Sequence, residues 1–135
     1  MGVLARSGEP ETVVLNTIQN KPSEVPTLID SGASDHCFVD KASFINLELL
    51  HRPITRLAAG KESTFKVIGK GKAKIHTMIN NTRESITFEN ALYTPELRSN
   101  LISVSKLGEK GTSVTFDNNG ALVKLVDGNT VIKAK

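Results

Sequence analysis

The stretch LIDSGAS, residues 28–34, places one acidic side chain between an apolar run and a turn. Asp, Ser and Gly are all common turn residues, so the tripeptide Asp30-Ser31-Gly32 is a weak signal by itself. Its context is stronger, because Leu28 and Ile29 predict a buried strand that ends at Asp30, where a carboxylate is costly without hydrogen bonds. The backbone of the turn can supply N–H donors. Asp30 is therefore a candidate catalytic acid, and such chemistry needs a second carboxylate.

The apolar residues around this stretch follow the period of β-strands. From Ser63 to Asn80 the odd positions are mostly apolar or small, and the even positions carry lysines, which predicts one dry and one wet face. Gly69, Gly71 and Ala73 fit either a close approach of two backbones or a plain strand weakened by glycines. Further strands are expected at 11–18, 25–30, 36–39, 53–58, 84–93, 113–117, 121–126 and 131–134, whereas residues 41–50 stay undecided between turn, helix and strand.

A short helix is expected within 100–107, and turns are expected at 80–81, 118–120 and 127–129. Together with the strands, these signals predict an all-β domain, barrel-like or sandwich-like, with one short helix. The 135 residues, of which 39% are hydrophobic, suit one domain with a modest core.

Charge and composition disfavour several classes of function. The net charge is +3, but the lysines are spread out and aromatic residues make up only 4%, which does not indicate a nucleic-acid-binding surface. No apolar run approaches the ~18 residues that a membrane span needs, and the N-terminus lacks the apolar core of a signal peptide. The single cysteine, Cys37, excludes an internal disulfide and fits a reducing compartment.

Other catalytic and metal-binding patterns are weak. Ser34 lies in GASDH, which is not the G-x-S-x-G turn of a serine hydrolase. His36 and Cys37 are adjacent, so on a strand they would point apart, and no partner pair has zinc spacing. Cys37 is expected to be a small buried hydrophobe, and Asp35 is either a subsite residue or a turn charge. Surface or loop positions are expected for the three histidines, His36, His51 and His76.

Two blocks, LIDSGASDHCF at 28–38 and ENALYTPELRSNLISVSKLGEKGTSVTFDNNG at 89–120, together resemble the proteinase of copia-type LTR retrotransposons. These enzymes are retropepsin-like aspartic proteases, and the resemblance runs from about residue 27 to 120 or 129. It implies a small closed β-barrel of the retropepsin (acid protease) type with one short helix and an active site at a homodimer interface. The residues before it are expected to form an N-terminal strand and flexible lead over 1–23, followed by the protease domain over 24–135, within one domain overall.

The resemblance assigns roles to the residues of the first block. Asp30 matches the catalytic aspartate, and the missing carboxylate would be Asp30 of the partner subunit. Ser31 matches the residue whose hydroxyl bonds across the dimer, and Gly32 the glycine whose N–H reaches the carboxylate. Ala33 and Ser34 complete the active-site loop.

The resemblance also implies a flap, a hairpin that closes over bound peptide, and a support behind the catalytic loop. The flap would contain Ala58, Ala59, Gly60, Lys61 and Glu62. The support would be the apolar stretch 100–103, with Leu101, Ile102 and Ser103, followed by a helix at 104–107. Leu57 and Ile102 are expected to line an apolar cleft. Retroviral relatives have more glycines in the flap and a glycine at the place of Ser103, and about nineteen residues follow Phe116 here, which leaves the dimer interface open.

The implied function is an aspartic endopeptidase that cleaves its own Gag-Pol-type polyprotein with an activated water, without a metal or cofactor. Its partners would be a second copy of itself and peptide segments of that polyprotein, with no nucleic acid and no membrane. It would work in the cytoplasm, inside virus-like particles. The alternative is a non-catalytic retropepsin-like barrel that binds peptides or assembles with itself, although the intact motif argues against decay of the site.

Overall fold

A computed structural model describes residues 12–15, 25–57, 63–79, 82–109, 113–117, 120–124 and 131–134. This part of the chain contains ten strands, one α-helix (α1, Val104–Glu109) and a 3₁₀ turn at Lys41–Ser43. The predicted all-β class with one short helix is confirmed. The strands are β1 Thr12–Leu15, β2 Thr27–Asp30, β3 Cys37–Phe38, β4 Phe44–Leu57, β5 Thr64–Ile79, β6 Thr82–Tyr93, β7 Asn100–Ser103, β8 Ser113–Asp117, β9 Gly120–Lys124 and β10 Val131–Ala134.

Seven of the strands form one sheet in the order β1-β2-β7-β3-β6-β5-β4, and β10-β9-β8 form a second sheet. Strand β1, from the predicted N-terminal lead, pairs antiparallel with β2. Strands β2 and β7 run parallel, with Asp30 opposite Ser103. The short β3 pairs with β6 in parallel and with β7 antiparallel. Because β2 and β7 point the same way, the chain leaves both strands at one edge of the sheet.

Strand β5 has the one-sided pattern predicted for residues 63–80. Val67, Ala73 and Ile75 are buried, whereas Lys66 and Lys70 are exposed. Such alternation is expected where one face of a sheet covers the core and the other contacts water.

The open question about the glycines of β5 is answered by Gly71. A Cβ atom at this position would collide with the carbonyl oxygen of Asn46 on the neighbouring β4. The pairing of β5 with β6 shifts register between Gly71 and Ala73. On β6, Asn90 has a positive φ of 56° near this irregularity, a conformation that Asn tolerates better than most residues. Strands β4 and β5 therefore approach each other closely at Gly71.

The core lies beneath the end of β2. Its main cluster joins residues of β2, β3, β5, β6, β7 and α1: Ile29, Phe38, Ala73, Ile75, Phe88, Ala91, Ile102 and Leu107. A second cluster contains Cys37, Val67 and Leu92. Fully burying a side chain such as Phe38 contributes about 1.5–3 kcal/mol to the stability of the fold. The loop that follows β2 is therefore attached to well-packed strands.

Two segments differ from their sequence patterns. A single helix over residues 100–107 is wrong in its first half, because Asn100–Ser103 forms β7, whose backbone pairs with β2 and β3. The resemblance implied an apolar stretch over 100–103 and a helix that begins at 104, and α1 does begin at Val104. The undecided residues 41–50 form the 3₁₀ turn, with the Asp40 carboxylate accepting from the Ala42 N–H at 3.0 Å, and the first half of β4.

Some predictions fall outside the described residues. These are the loose segment 1–10, the turn at 80–81, residues 118–119 of the next turn, and the turn at 127–129. Within the described residues, no helix has the length and apolar character needed to cross a membrane.

Candidate active site

A cleft of about 560 Å³ lies beside the turn that follows β2. Its walls come from the turn after β2, the ends of β4 and β5, and the segment between β6 and β7. The large apolar lining residues are Leu28, Leu57, Phe65, Leu92, Leu97 and Leu101, and the charged ones are Asp30, Asp35, Arg56, Glu96 and Arg98. The cleft thus combines an apolar lining with a small number of ionisable groups, as ligand sites commonly do.

Asp30 is only 9% exposed, although it lines the cleft. Its Oδ1 accepts a hydrogen bond from the Gly32 N–H at 2.8 Å. This is the contact expected from the resemblance, and it partly offsets the cost of removing a carboxylate from water. The Ala33 N–H approaches the Asp30 carbonyl oxygen at 3.4 Å, which closes a tight turn.

The remaining residues of the predicted active-site loop follow this turn. Ser31 is half-buried, Ala33 is buried, and Ser34 is exposed. The Ser34 hydroxyl donates to Oδ2 of Asp35 at 3.3 Å. The loop is therefore compact, with polar groups on its solvent side.

Ser103, at the end of β7, connects this loop to helix α1. Its hydroxyl donates to the Ala33 carbonyl oxygen at 2.8 Å and accepts from the Lys106 N–H at 3.1 Å. Its own N–H donates to Nδ1 of His36 at 3.0 Å. Because Ser103 is fully buried, these bonds are shielded from competing water.

His36 lies in the loop before β3, one of the two positions predicted for it, but it is not a surface residue, because it is only 5% exposed. Its ring packs edge-on against Phe88, with ring centroids 4.9 Å apart. Burial and the positive charge of Lys106 lower the pKa of His36 from 6.5 to about 4, and Asp35 opposes this shift. The imidazole is therefore neutral above mildly acidic pH.

Cys37 is 4% exposed, which confirms the expectation of a small buried hydrophobe. Burial, followed by the negative charge of Asp35, raises the pKa of its thiol to about 12. A protonated thiol is a poor nucleophile and a poor metal ligand. Within the described residues, no group of three or more His, Cys, Asp or Glu side chains is placed to hold a metal ion.

Asp35 lines the cleft and is also paired with two cations. Its Oδ2 lies 3.1 Å from Nη1 of Arg56, and its Oδ1 lies 3.8 Å from Nζ of Lys106. Asp35 therefore borders the cleft and carries a compensated charge, and its role as a subsite residue stays a prediction. Arg56 was not singled out from the sequence, and only its position just before the proposed flap could have suggested it.

The proposed flap, 58–62, lies outside the described residues, but the strands that carry it do not. Leu57 and Thr64 are opposite each other at the ends of β4 and β5, and both line the cleft. Leu57 is 67% exposed. Leu57 therefore presents an exposed apolar side chain at the border of the cleft.

One residue that was predicted to line the cleft does not line it. Ile102 is 1% exposed and belongs to the core beneath the cleft. Its neighbour Leu101 lines the cleft instead, because successive residues of a strand point to opposite faces. The same alternation places Leu28 in the cleft and Ile29 in the core.

A profile of the family described as Pol polyprotein, beta-barrel domain, matches residues 27–112. This range includes the Asp30 loop, strands β2 to β7 and helix α1. The chain belongs to the Pol polyprotein beta-barrel domain family. It therefore comes from the Pol polyprotein of a retroelement.

Proposed function

We propose that this domain is an aspartic endopeptidase of the copia type, in which Asp30 is the catalytic acid. The observation that carries the proposal is a buried carboxylate at the end of β2, hydrogen-bonded by Gly32 and facing an apolar cleft. Paired strand ends flank the same cleft, where a flap would begin. The family match adds a Pol polyprotein origin.

The second carboxylate comes from a second copy of the chain. In the described part of the cleft the other acidic residues are Asp35, which is paired with Arg56 and Lys106, and Glu96, which accepts the Lys66 N–H at 3.0 Å. Because both residues already have partners, we assign the second carboxylate to Asp30 of the partner subunit. In this dimer the Ser31 hydroxyls would brace the two loops against each other.

The chemistry follows from placing two carboxylates about 3 Å apart, where both cannot ionise readily and one proton is shared. The ionised carboxylate takes a proton from water as the water oxygen attacks the scissile carbonyl carbon. The protonated carboxyl gives its proton to the carbonyl oxygen, which forms a neutral gem-diol. The carbon–nitrogen bond then breaks as the nitrogen takes up a proton and a diol hydroxyl returns one to the dyad.

The substrate is an extended peptide with apolar side chains next to the cut. Leu28, Leu101 and Phe65 supply apolar surface near Asp30. The ends of β4 and β5 offer backbone groups for strand-like pairing with a peptide. Segments of the Gag-Pol-type polyprotein would be the natural substrates, cleaved in the cytoplasm inside virus-like particles.

The test compares wild type with Asp30→Asn on a precursor that contains the flanking sequences of this chain. Wild type should release the domain, and the variant should lose cleavage by at least about 10³-fold, since a neutral amide cannot accept the proton from water. Asp40→Asn is the matched control, because Asp40 is exposed and an Asn can still accept from the Ala42 N–H. Equal cleavage by wild type and Asp30→Asn would refute the proposal.

The alternative function, a barrel that binds peptide or self-assembles without cutting, is separated by the same preparation. A transition-state mimic with a central hydroxyl or diol should inhibit a two-aspartate enzyme far more strongly than an equivalent peptide. If wild type binds the peptide, does not cut it and shows no preference for the mimic, the non-catalytic function is the correct one.

A further inference from the structure

We propose that His36 is a positioning residue, whose imidazole holds the Asp30 loop in its working conformation through Ser103. The part of this proposal that concerns cleavage rests on the proposed function. The geometric part concerns the loop alone and can be tested without any substrate.

The direction of one hydrogen bond defines the state of the ring. The Ser103 backbone N–H can only donate, and it lies 3.0 Å from Nδ1 of His36. Nδ1 must therefore present its lone pair, so the neutral ring carries its proton on Nε2. A proton on Nδ1 would place two donors against each other in a buried site.

Ser103 holds the loop at two points. Its N–H binds the His36 ring, and its hydroxyl binds the Ala33 carbonyl oxygen at 2.8 Å. On the other side of His36, its carbonyl oxygen accepts the Leu92 N–H of β6 at 2.8 Å. The segment 33–36 is thus fastened to β6 and β7. Ala33, the first residue of this segment, also closes the turn after Asp30, because its N–H approaches the Asp30 carbonyl oxygen.

The groups that face the His36 ring come from four directions. Phe88 of β6 packs on the ring, and Ser103 of β7 donates to it. Lys106 of α1 disfavours the imidazolium, whereas Asp35 in the loop favours it. Burial outweighs Asp35, and the pKa of about 4 keeps the ring neutral at the pH where cleavage is expected.

The first experiment follows the His36 ring by ¹⁵N NMR on the full chain, with His51→Gln and His76→Gln used to assign its signals. The Nε2–H tautomer is expected at pH 7. The ring should protonate with a midpoint near 4, and the Ser103 and Ala33 amide signals should shift with the same midpoint. An Nδ1–H tautomer, or a ring that titrates without moving either amide, would overturn the proposal.

The second experiment uses cleavage by two variants. In His36→Asn the side-chain oxygen stands at about the place of Nδ1 and can still accept from Ser103. His36→Leu fills a similar space without an acceptor. The Asn variant should keep kcat within about 3-fold of wild type, whereas the Leu variant should lose at least about 10-fold in kcat with KM little changed, because a misplaced catalytic group slows the chemical step.

A folded His36→Leu protein with wild-type kcat would contradict the proposal, and so would a Leu variant in which only KM changes. If the Leu variant does not fold, the NMR measurement on wild type still decides the matter. The two proposals also fail separately. A wild type that never cuts refutes the proposed protease activity. The tautomer and the coupled amide shifts test the positioning role of His36 independently of cleavage.

Discussion

At the residue scale, two buried polar residues, Asp30 and His36, lie in different surroundings. Asp30 borders the cleft, and its carboxylate accepts a hydrogen bond from the Gly32 N–H. His36 is enclosed by Phe88 and Ser103, and its proton affinity is reduced. The same short loop thus contains the aspartate that we propose as the catalytic acid and a histidine whose burial disfavours protonation.

The lowered pKa of His36 predicts a pH-dependent stability. In the unfolded chain its pKa is near 6.5, and in the folded protein it is about 4, so the unfolded state binds the extra proton between these values. The folded pKa is depressed, and therefore the stabilisation is fully present above about pH 6.5 and is lost as the pH falls towards 4. Between pH 7.5 and 4.5 the free energy of unfolding of wild type should fall by about 2–3 kcal/mol more than that of His36→Asn.

Urea unfolding of both proteins at the two pH values measures this difference. Carboxylates elsewhere in the chain affect wild type and His36→Asn alike, so their contribution cancels in the comparison. Equal losses in the two proteins would mean that His36 is not buried as a neutral ring.

At the scale of elements, the close contact of β4 and β5 depends on a missing side chain. Gly71→Ala would direct a methyl group into the Asn46 carbonyl, so β4 must shift, and we expect a loss of about 1–3 kcal/mol in stability. Gly108→Ala in α1 is the matched control. Nothing lies within 4 Å of its added Cβ, and it should be neutral or stabilise by up to about 1 kcal/mol. Thermal unfolding of both variants measures the contrast, and a harmless Gly71→Ala would refute the close approach.

A second prediction at this scale concerns the connection between β2, β3 and β7. The buried Asn100 side chain accepts the Val39 N–H at 2.8 Å and donates to the Thr27 hydroxyl at 3.1 Å. Asn100→Ala removes the hydrogen-bond partner of both the Val39 N–H and the Thr27 hydroxyl. We expect the free energy of unfolding to fall by about 2–4 kcal/mol.

Asn46→Ala provides the comparison for Asn100→Ala. The exposed Asn46 side chain accepts the Lys72 N–H at 2.9 Å, where water can replace it, so its loss should cost about 0.5 kcal/mol or less. Urea unfolding gives both values. Similar losses for the two variants would show that Asn100 does not hold the three strands together.

At the scale of the whole molecule, the proposed active site requires two chains. Adding Asp30→Asn protein to a constant amount of wild type should form mixed dimers that lack one of the two carboxylates. With random exchange, an equal amount of variant should lower activity to about one half, and a ninefold excess to about one tenth.

The control for subunit exchange is Asp40→Asn, which should not reduce the activity of wild type at any ratio. Sedimentation at the same concentrations reports whether dimers form. Activity that is independent of added Asp30→Asn, in a protein that sediments as a monomer, would exclude the shared site.

Local patterns in the sequence were sufficient for much of this architecture. The period of two along residues 63–80 predicted β5 and its dry face, and the apolar run before Asp30 predicted β2. The two blocks that flank the long hairpins pointed to a retroelement Pol polyprotein, and the family match supports that origin. Such signals are readable because each depends on residues close together along one chain segment.

Only the tertiary structure revealed which residues meet across segments. The sequence alone determined where an acid follows a strand and which faces are apolar. It did not determine that His36 is buried against Phe88, that Leu101 rather than Ile102 borders the cleft, or that residues 100–103 extend the sheet. The physical reason is that burial and strand pairing depend on partners far along the chain, such as Ser103 for His36 and β2 for β7, and these partners can be identified only after the chain has folded.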